Sequence, residues 1–193
     1  MFKEIFLTII HLITSPQSAW RSIKKDEEDQ QEFLSKFLHP VFGIIALTSF
    51  IGGLWFTRDG NVELALKTTI VNIITLYGGY LVTAHIVNEI SFRYDLQKQL
   101  FTFRRFIGYS SVVIYSLYII MPFFSNFFIL WLFSVYTAYI VYIGAGVFFE
   151  IAENKKKKFT IASTTLILFI PLIINAIMNF LIKKWQWNRQ LSI

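Results

Sequence analysis

Long apolar runs without charged residues dominate this chain. Between Arg105 and Glu150 lie 44 residues that include no Asp, Glu, Lys or Arg. As one helix, at about 1.5 Å per residue, this run would be roughly twice as long as the hydrocarbon core of a bilayer is thick. The run must therefore fold back on itself, and Pro122-Phe-Phe-Ser-Asn126 has the residues typical of a turn. Two membrane spans are predicted, over residues 106–124 and 127–149.

Three further charge-free runs have the length of a single span. They cover residues 37–57, 68–88 and 159–182, and they hold 21, 21 and 24 residues. A helix that crosses the hydrocarbon core needs roughly 17 to 25 predominantly apolar residues. The sequence therefore predicts one membrane domain over residues 37–182, with five spans at about 37–57, 68–90, 106–124, 127–149 and 159–182.

The first 36 residues are too polar to span a membrane, but they contain amphipathic patterns. Apolar residues recur at helical spacing and form one face, made of Phe2, Ile5, Phe6, Ile9, Ile10 and Ile13. Ser15 and Pro16 are typical of the start of a second short helix, which carries Trp20. We expect residues 1–36 to lie in the inner membrane interface, where the Trp20 N–H would reach water. The predicted fold class is all-α: a polytopic membrane helical bundle of five transmembrane helices preceded by short interfacial N-terminal helices.

Composition and charge agree with a membrane protein. Hydrophobic residues make up 55% of the 193 residues, and the mean hydropathy is +0.55, which leaves no room for a separate soluble domain. With the N-terminus inside, the inner segments hold 13 of the 18 Lys and Arg residues and the outer segments hold 5. This bias predicts an inside N-terminus and an outside C-terminal tail, 183–193. We therefore explain the net charge of +6 by membrane topology and by attraction to anionic lipid. Nucleic acid is not an expected partner.

Polar residues follow one stripe of the second predicted span, at three- and four-residue spacing. The stripe consists of Thr68, Asn72, Thr75, Gly79 and Thr83. Small and polar residues in a membrane helix favour contact with other helices, because they allow close backbone approach and interhelical hydrogen bonds. We expect this stripe to face the interior of the bundle.

The densest polar cluster is predicted at the inner membrane level. His85, Asn88 and Glu89 end the second span, and we expect the inner helix ends that carry Arg104, Arg105 and Glu150 to lie at the same level. The favoured interpretation is an ion pair between Arg105 and either Glu89 or Glu150 that fixes the helix ends. The alternative is a proton relay or a divalent cation site made of His85, Glu89 and Glu150, although this metal pattern is incomplete.

Enzyme signatures are absent from the sequence. There is no Gly-x-Ser-x-Gly elbow, no His-Glu-x-x-His pair, no Walker loop and no cysteine. The Gly144-Ala-Gly146 segment lies inside a predicted span, where a close helix contact is favoured over nucleotide binding. We therefore predict no catalytic residue, no cofactor and no metal.

Three short motifs resemble one known family. They are Ser15-Pro16-x-x-x-Trp20, Gly78-Gly79-Tyr80 and Phe106-Ile-Gly108-Tyr109-Ser110. Together with five spans and an inside N-terminus, they resemble the Yip domain family of Ypt/Rab-interacting membrane proteins, in particular its short bacterial branch. The resemblance implies a five-span membrane fold and a bacterial inner membrane location. Rab-type GTPase recognition is not carried over, because the long N-terminal region and the Asp-Leu-Tyr-Gly-Pro motif are missing here.

The third motif has a physical interpretation of its own. We expect Gly108 to allow a close helix contact, and the hydroxyls of Tyr109 and Ser110 to bond a neighbouring helix or a lipid head group. The favoured function is a non-enzymatic membrane protein that organises partners or lipids. The expected partners are membrane lipids, anionic at the inner face, together with membrane proteins or a second copy of the chain. The alternative is a small permease or ion-coupled carrier with a path along the second span, from Asn72 to the level of Glu89 and Glu150.

Overall fold

The computed structural model describes residues 2–26, 28–57, 60–124 and 128–191. All regular structure in these ranges is helical and none of it is a strand, so the all-α prediction is confirmed. Short 3₁₀ or π-helical turns extend or join several of the α-helices. In chain order the α-helices are α1 (Phe2–Thr14), α2 (Pro16–Lys25), α3 (Gln30–Phe33), α4 (His39–Ile51), α5 (Val62–Ile90), α6 (Leu100–Ser110), α7 (Val112–Ile120), α8 (Tyr136–Val147) and α9 (Glu153–Leu191).

Three helical segments of the described chain are long and apolar enough to cross a membrane. They are Gln30–Phe56, Val62–Tyr94 and Glu153–Lys184. A fourth crossing is made if α6 and α7, which meet at a bend of 45°, form one span. The shorter apolar helix Trp131–Val147 occupies the remaining predicted span. The structure therefore confirms a membrane-spanning helical bundle, whereas the count of five spans stays a prediction.

Helix ends follow the local sequence. The Asn61 side chain accepts the Leu64 N–H at 2.8 Å and caps α5, so this helix begins six residues before the predicted span. Pro16 occupies the start of α2 as predicted, although the Ser15 side chain makes no capping bond. Pro122 lies in a 3₁₀ turn after α7. Ser125 and Asn126, which belong to the predicted turn, lie outside the described residues.

Helix α5 lies at the centre of the bundle and packs against α4, α6 and α9. It runs antiparallel to α9, because Gly79 contacts Pro171 while Thr83 donates to the carbonyl oxygen of Leu166 at 3.3 Å. We call the end of the bundle that holds Arg93, Lys98, Arg105, Glu150 and Lys155 the basic end. The end that holds Thr57 and Asn61 is called the opposite end.

The N-terminal helices form a hairpin, α1 and α2, that packs lengthwise on the bundle. Lys24 forms an ion pair with Glu150 at the basic end. Near the turn of the hairpin, the Tyr136 hydroxyl donates to the carbonyl oxygen of Ile13 at 2.8 Å. At about 1.5 Å per helical residue, the hairpin turn lies roughly 20 Å along α8 from Glu150. The N-terminal hairpin therefore extends along the side of the bundle for a large part of its length.

Candidate functional site

The seam between the helical hairpin and the bundle is built around Trp20. This side chain is fully buried, and its indole N–H donates to the carbonyl oxygen of Ile140 at 3.1 Å. The ring stacks on Phe106 with centroids 5.2 Å apart and lies directly over Gly144. The prediction that the Trp20 N–H reaches water was wrong, because α8 supplies the acceptor and covers the ring. Trp20 therefore holds the hairpin to the bundle.

A buried polar cluster holds the chain that leaves the hairpin. Arg105 donates from Nη2 to the carbonyl oxygen of Ile23 at 2.8 Å, and this nitrogen lies 3.7 Å from Oε2 of Glu28. The Tyr109 hydroxyl donates to the same Glu28 oxygen at 2.8 Å. The Arg105 side chain is only 9% exposed, and a charge buried to this extent needs nearby acceptors. The Ile23 carbonyl and the Glu28 carboxylate provide them. This cluster joins α6 to the segment that links α2 and α3.

The predicted ion pair of Arg105 with Glu89 or Glu150 was wrong in its partners. Glu89 pairs with Lys98 and Glu150 pairs with Lys24. The packed hairpin brings Glu28, which follows α2, next to α6. Glu28 then reaches the guanidinium before either predicted carboxylate does. Lys24 also lowers the pKa of the Glu150 carboxyl through a hydrogen bond and its positive charge.

The predicted polar cluster is divided between two environments. His85 and Glu89 are exposed, whereas Asn88 is buried on the interior face of α5. Glu150 lies outside the helices and has a φ of 55°, which is unusual for a residue other than glycine. Among the residues that the structure describes, no group of three His, Cys, Asp or Glu residues is placed to hold a metal ion.

The glycine motifs mark close helix contacts. A Cβ on Gly108 would lie 2.5 Å from Cζ of Phe33, and a Cβ on Gly79 would lie 2.7 Å from Cγ of Pro171. Gly78 has more space, since the nearest atom, in Ile174, is 3.5 Å from such a Cβ. Ser110 is buried, and its hydroxyl has no partner among the described residues, unlike that of Tyr109. The motif around Gly108 therefore packs against the start of the Gln30–Phe56 segment through Phe33, and against the preceding residues through Glu28.

A second polar region lies in the bundle interior, toward the opposite end. A cavity of about 390 Å³ separates α4, α5, α7 and α9. The Asn72 side chain donates to Oγ of Ser49 at 2.9 Å, and Asn175 donates to Oγ1 of Thr75 at 3.4 Å. The predicted stripe of α5 therefore faces other helices, as expected. The cavity is lined in part by Ser49, Thr57, Thr68, Asn72, Trp131 and Asn175.

Between the cavity and the basic end, the middle of the bundle is tightly packed, and we call this region the neck. Only about 10 Å³ of space remains in the neck, among residues that include Gly79, Tyr80, Tyr115 and Pro171. Arg104 lies half-buried on α6, toward the basic end. The predicted path from Asn72 to Glu89 is thus closed at the neck, and exposed Glu89 lies outside the interior.

Several residues of the seam were missed from the sequence. Glu28 stands in a charged run and Phe33 precedes a span, and neither carries a local signal of its buried partner. Gly144 did carry a signal, because the segment predicted a close helix contact. Its partner is the Trp20 ring of a non-spanning helix, which only the folded chain reveals.

Comparison with known proteins identifies the family. The family model of the Yip1 domain matches residues 10–176, a range that includes the hairpin seam and every resemblance motif from Pro16 and Trp20 to Ser110. No curated protein and no solved structure matches the chain. Because the matched range covers most of the chain, this integral membrane protein belongs to the Yip1 domain family.

Proposed function

We propose that this protein is a non-enzymatic, five-span membrane protein of the bacterial inner membrane that organises lipids through its N-terminal hairpin. The basic end faces the cytoplasm, and the hairpin enters the cytoplasmic leaflet from that side. The C-terminal tail lies outside. Lipid contact by the hairpin is the central feature of this proposal, and membrane-protein partners or a second copy are further candidates for the same surface.

The two apolar faces of α1 carry the proposal. Ile5, Ile9 and Leu12 are buried against the protein. The next face holds Phe6, Leu7 and Ile10, which are 46%, 53% and 53% exposed. Exposed Lys3, Glu4 and His11 lie beside these apolar side chains, and this mixture is typical of a helix that lies in a membrane interface rather than in water. The hairpin turn packs beside Tyr136 of α8, so the exposed side chains of α1 lie along the side of the bundle, where lipid would surround a membrane protein.

The charge of the basic end supports a preference for anionic lipid. Arg21, Lys25, Arg93, Lys157 and Lys158 are all exposed there. Each Lys or Arg near an anionic membrane surface contributes about 1 kcal/mol of attraction. These residues would hold anionic head groups around the point where the hairpin enters the leaflet.

Depth measurements test the placement of the hairpin. The chain has no cysteine, so single-cysteine variants can be labelled with an environment-sensitive dye without removing native thiols. We expect a label at Leu7→Cys to be quenched by lipids brominated in the acyl chain, as a label at Leu47→Cys in the first span is. A label at Lys25→Cys serves as the aqueous control. Quenching of the Leu7 label only by aqueous iodide would contradict insertion.

Vesicle shape tests the lipid-organising role. We expect reconstitution at rising protein-to-lipid ratio to reduce vesicle diameter in electron micrographs, and more strongly when phosphatidylglycerol is present. Phe6→Ser combined with Ile10→Ser should abolish the change, because the hairpin loses its lipid-facing surface. Leu172→Ser with Ile173→Ser in α9 is the matched control on a spanning helix. If the wild-type protein left the vesicle diameter unchanged, the proposed lipid-organising role would be rejected.

A permease is the second candidate function, and the cavity at Asn72 is the observation that favours it. The closed neck at Tyr80 and Tyr115 would then be one state of a gate. Osmotic swelling of proteoliposomes in glycerol tests this function. We expect flux above that of protein-free vesicles if the neck opens, and loss of flux in Asn72→Leu. Swelling equal to that of protein-free vesicles would reject the permease for this probe.

A further inference from the structure

We infer that the interior cavity is a binding site for an uncharged, hydroxyl-bearing group such as a sugar or polyol. This inference deepens the permease candidate by naming its ligand class, but it requires binding alone. The ligand would come either from a free solute or from the head group of a neutral glycolipid. Both sources present the same hydroxyl chemistry to the cavity.

The polar groups of the cavity are held in place before any ligand enters. The hydrogen bond from Asn72 to Ser49 joins α5 to α4, and the bond from Asn175 to Thr75 joins α9 to α5. Ser49 and Thr75 are fully buried, so their hydrogen bonds hold the carboxamides of Asn72 and Asn175 in fixed positions in the cavity wall. Such anchored side chains retain free donor and acceptor positions for hydroxyl groups.

Two deviations from regular α-helical hydrogen bonding lie beside the cavity. The chain after α4 forms a π-helical turn, Gly52–Phe56, that lines the cavity through Gly52 and Gly53. On the facing helix, Pro171 interrupts the hydrogen-bond ladder of α9 at the neck, next to Leu172 and Asn175 in the wall. Neighbouring helices, polar side chains or ordered water can satisfy the backbone groups that such deviations leave free in a membrane helix.

The lining determines the class of ligand. The described lining residues carry amide, hydroxyl, aromatic and aliphatic groups and no charge. A charged ligand would lose its hydration there without gaining an ionic partner, which is strongly unfavourable in an apolar surrounding. The Trp131 and Tyr118 rings form an edge-to-face pair with centroids 5.6 Å apart and give the cavity an apolar wall. Amides beside an aromatic wall match the alternating hydroxyl and C–H faces of a sugar.

Among the residues that the structure describes, the cavity opens toward the opposite end. Thr57 lies at the rim of the cavity and is exposed, whereas the neck at Tyr80 closes the other side. A ligand would therefore enter and leave through the same opening while the neck stays closed. Binding can be measured without any transport.

The experiment uses the full chain in nanodiscs of phosphatidylethanolamine and phosphatidylglycerol. In one arm methyl glucoside is titrated and tryptophan fluorescence is recorded, with Trp131→Phe identifying the signal from the cavity wall. In the other arm monoglucosyl diacylglycerol is added to the nanodisc, and retained lipid is measured by native mass spectrometry. Phosphatidylglycerol retained in the same spectra is the charged competitor.

We expect saturable binding in at least one arm, about tenfold weaker in Asn72→Leu because a carboxamide is lost. Asn88→Leu is the matched control on the same helix, about 24 Å away, and should bind as the wild type does. If Asn72→Leu fails to fold, Ser49→Ala and Asn175→Leu test the same wall. The inference is overturned if the wild type binds neither probe, if the cavity variants bind normally, or if phosphatidylglycerol is the Asn72-dependent ligand. Binding without glycerol flux would reject the permease and leave the site standing.

Discussion

Trp20 of α2 donates its indole N–H to the carbonyl oxygen of Ile140 in α8, at 3.1 Å and out of contact with solvent. An α-helical carbonyl can accept this second bond because an oxygen has two lone pairs. A residue of a short, non-spanning helix is thus bonded to the backbone of the bundle. Stability of the hairpin and stability of the whole protein are coupled at this contact.

Truncation of Trp20 should release the hairpin. We expect Trp20→Ala to lower the free energy of unfolding by about 3 kcal/mol, since a large buried ring and its hydrogen bond are lost together. Titration with SDS in mixed micelles measures this change. Trp55→Ala is the control, because the Trp55 side chain is 70% exposed. Equal losses for the two variants would contradict the anchoring role of Trp20.

A methyl group at Gly108 should disturb the docking of α3. We expect Gly108→Ala to destabilise the protein by about 1 to 3 kcal/mol, because the Phe33 ring must move away from the new Cβ. Gly43→Ala is the matched control, since nothing lies within 4 Å of a Cβ built there. The same SDS titration compares them. If Gly108→Ala were at least as stable as Gly43→Ala, the Phe33 ring would be able to move aside at no cost in stability, and the prediction would be wrong.

The Tyr109 hydroxyl and Glu28 should be energetically coupled. We expect Tyr109→Phe to cost about 1 to 2 kcal/mol, because a buried hydrogen bond to a carboxylate is lost. In a double-mutant cycle with Glu28→Gln, the two losses should not add. Tyr139→Phe, at a largely exposed tyrosine of α8, is the control. Additive losses in the cycle would mean that the two side chains act independently.

The ion pair of Lys24 and Glu150 should make stability depend on pH. Lys24 lowers the pKa of Glu150 below its ordinary value of 4.5, so the stabilisation is complete above that value and is lost as pH falls through the lowered pKa. Glu150→Gln should therefore be less stable than wild type at pH 7, and the difference should shrink as the pH falls through the lowered pKa. Lys157→Met, at a neighbouring exposed lysine, should preserve the wild-type pH dependence. A gap between Glu150→Gln and wild type that is unchanged from pH 7 to pH 3 would contradict the ion-pair contribution.

The charge bias predicts which end faces the cytoplasm. In intact cells, we expect a membrane-impermeant maleimide to label Val62→Cys at the opposite end and to leave Lys157→Cys at the basic end unlabelled. Lys157→Cys should become reactive once the cells are permeabilised, which serves as the control for reactivity. Labelling with the reverse pattern would overturn the orientation. Labelling of both sites in intact cells would overturn the span count between them.

The N-terminal segment illustrates what local patterns leave open. Its helices and the start of α2 at Pro16 follow from helical spacing and proline geometry. Their environment does not follow, because an apolar stripe on a short helix packs equally well against lipid or protein. Ile5 and Phe6 belong to one predicted face, yet the fold buries the first and exposes the second. The same ambiguity concealed the acceptor of Trp20 and the partner of Glu28.

The sequence by itself determined the class of protein, the position of the main apolar helices and the family. These properties depend on local composition, since a charge-free run of sufficient length is stable as a helix in lipid regardless of its neighbours. Only the tertiary structure decided which charges pair, that Arg105 meets Glu28, and that Asn72 faces a cavity closed at Tyr80. Such contacts join residues far apart in the chain, and their choice depends on how helices pack together, which no single segment encodes.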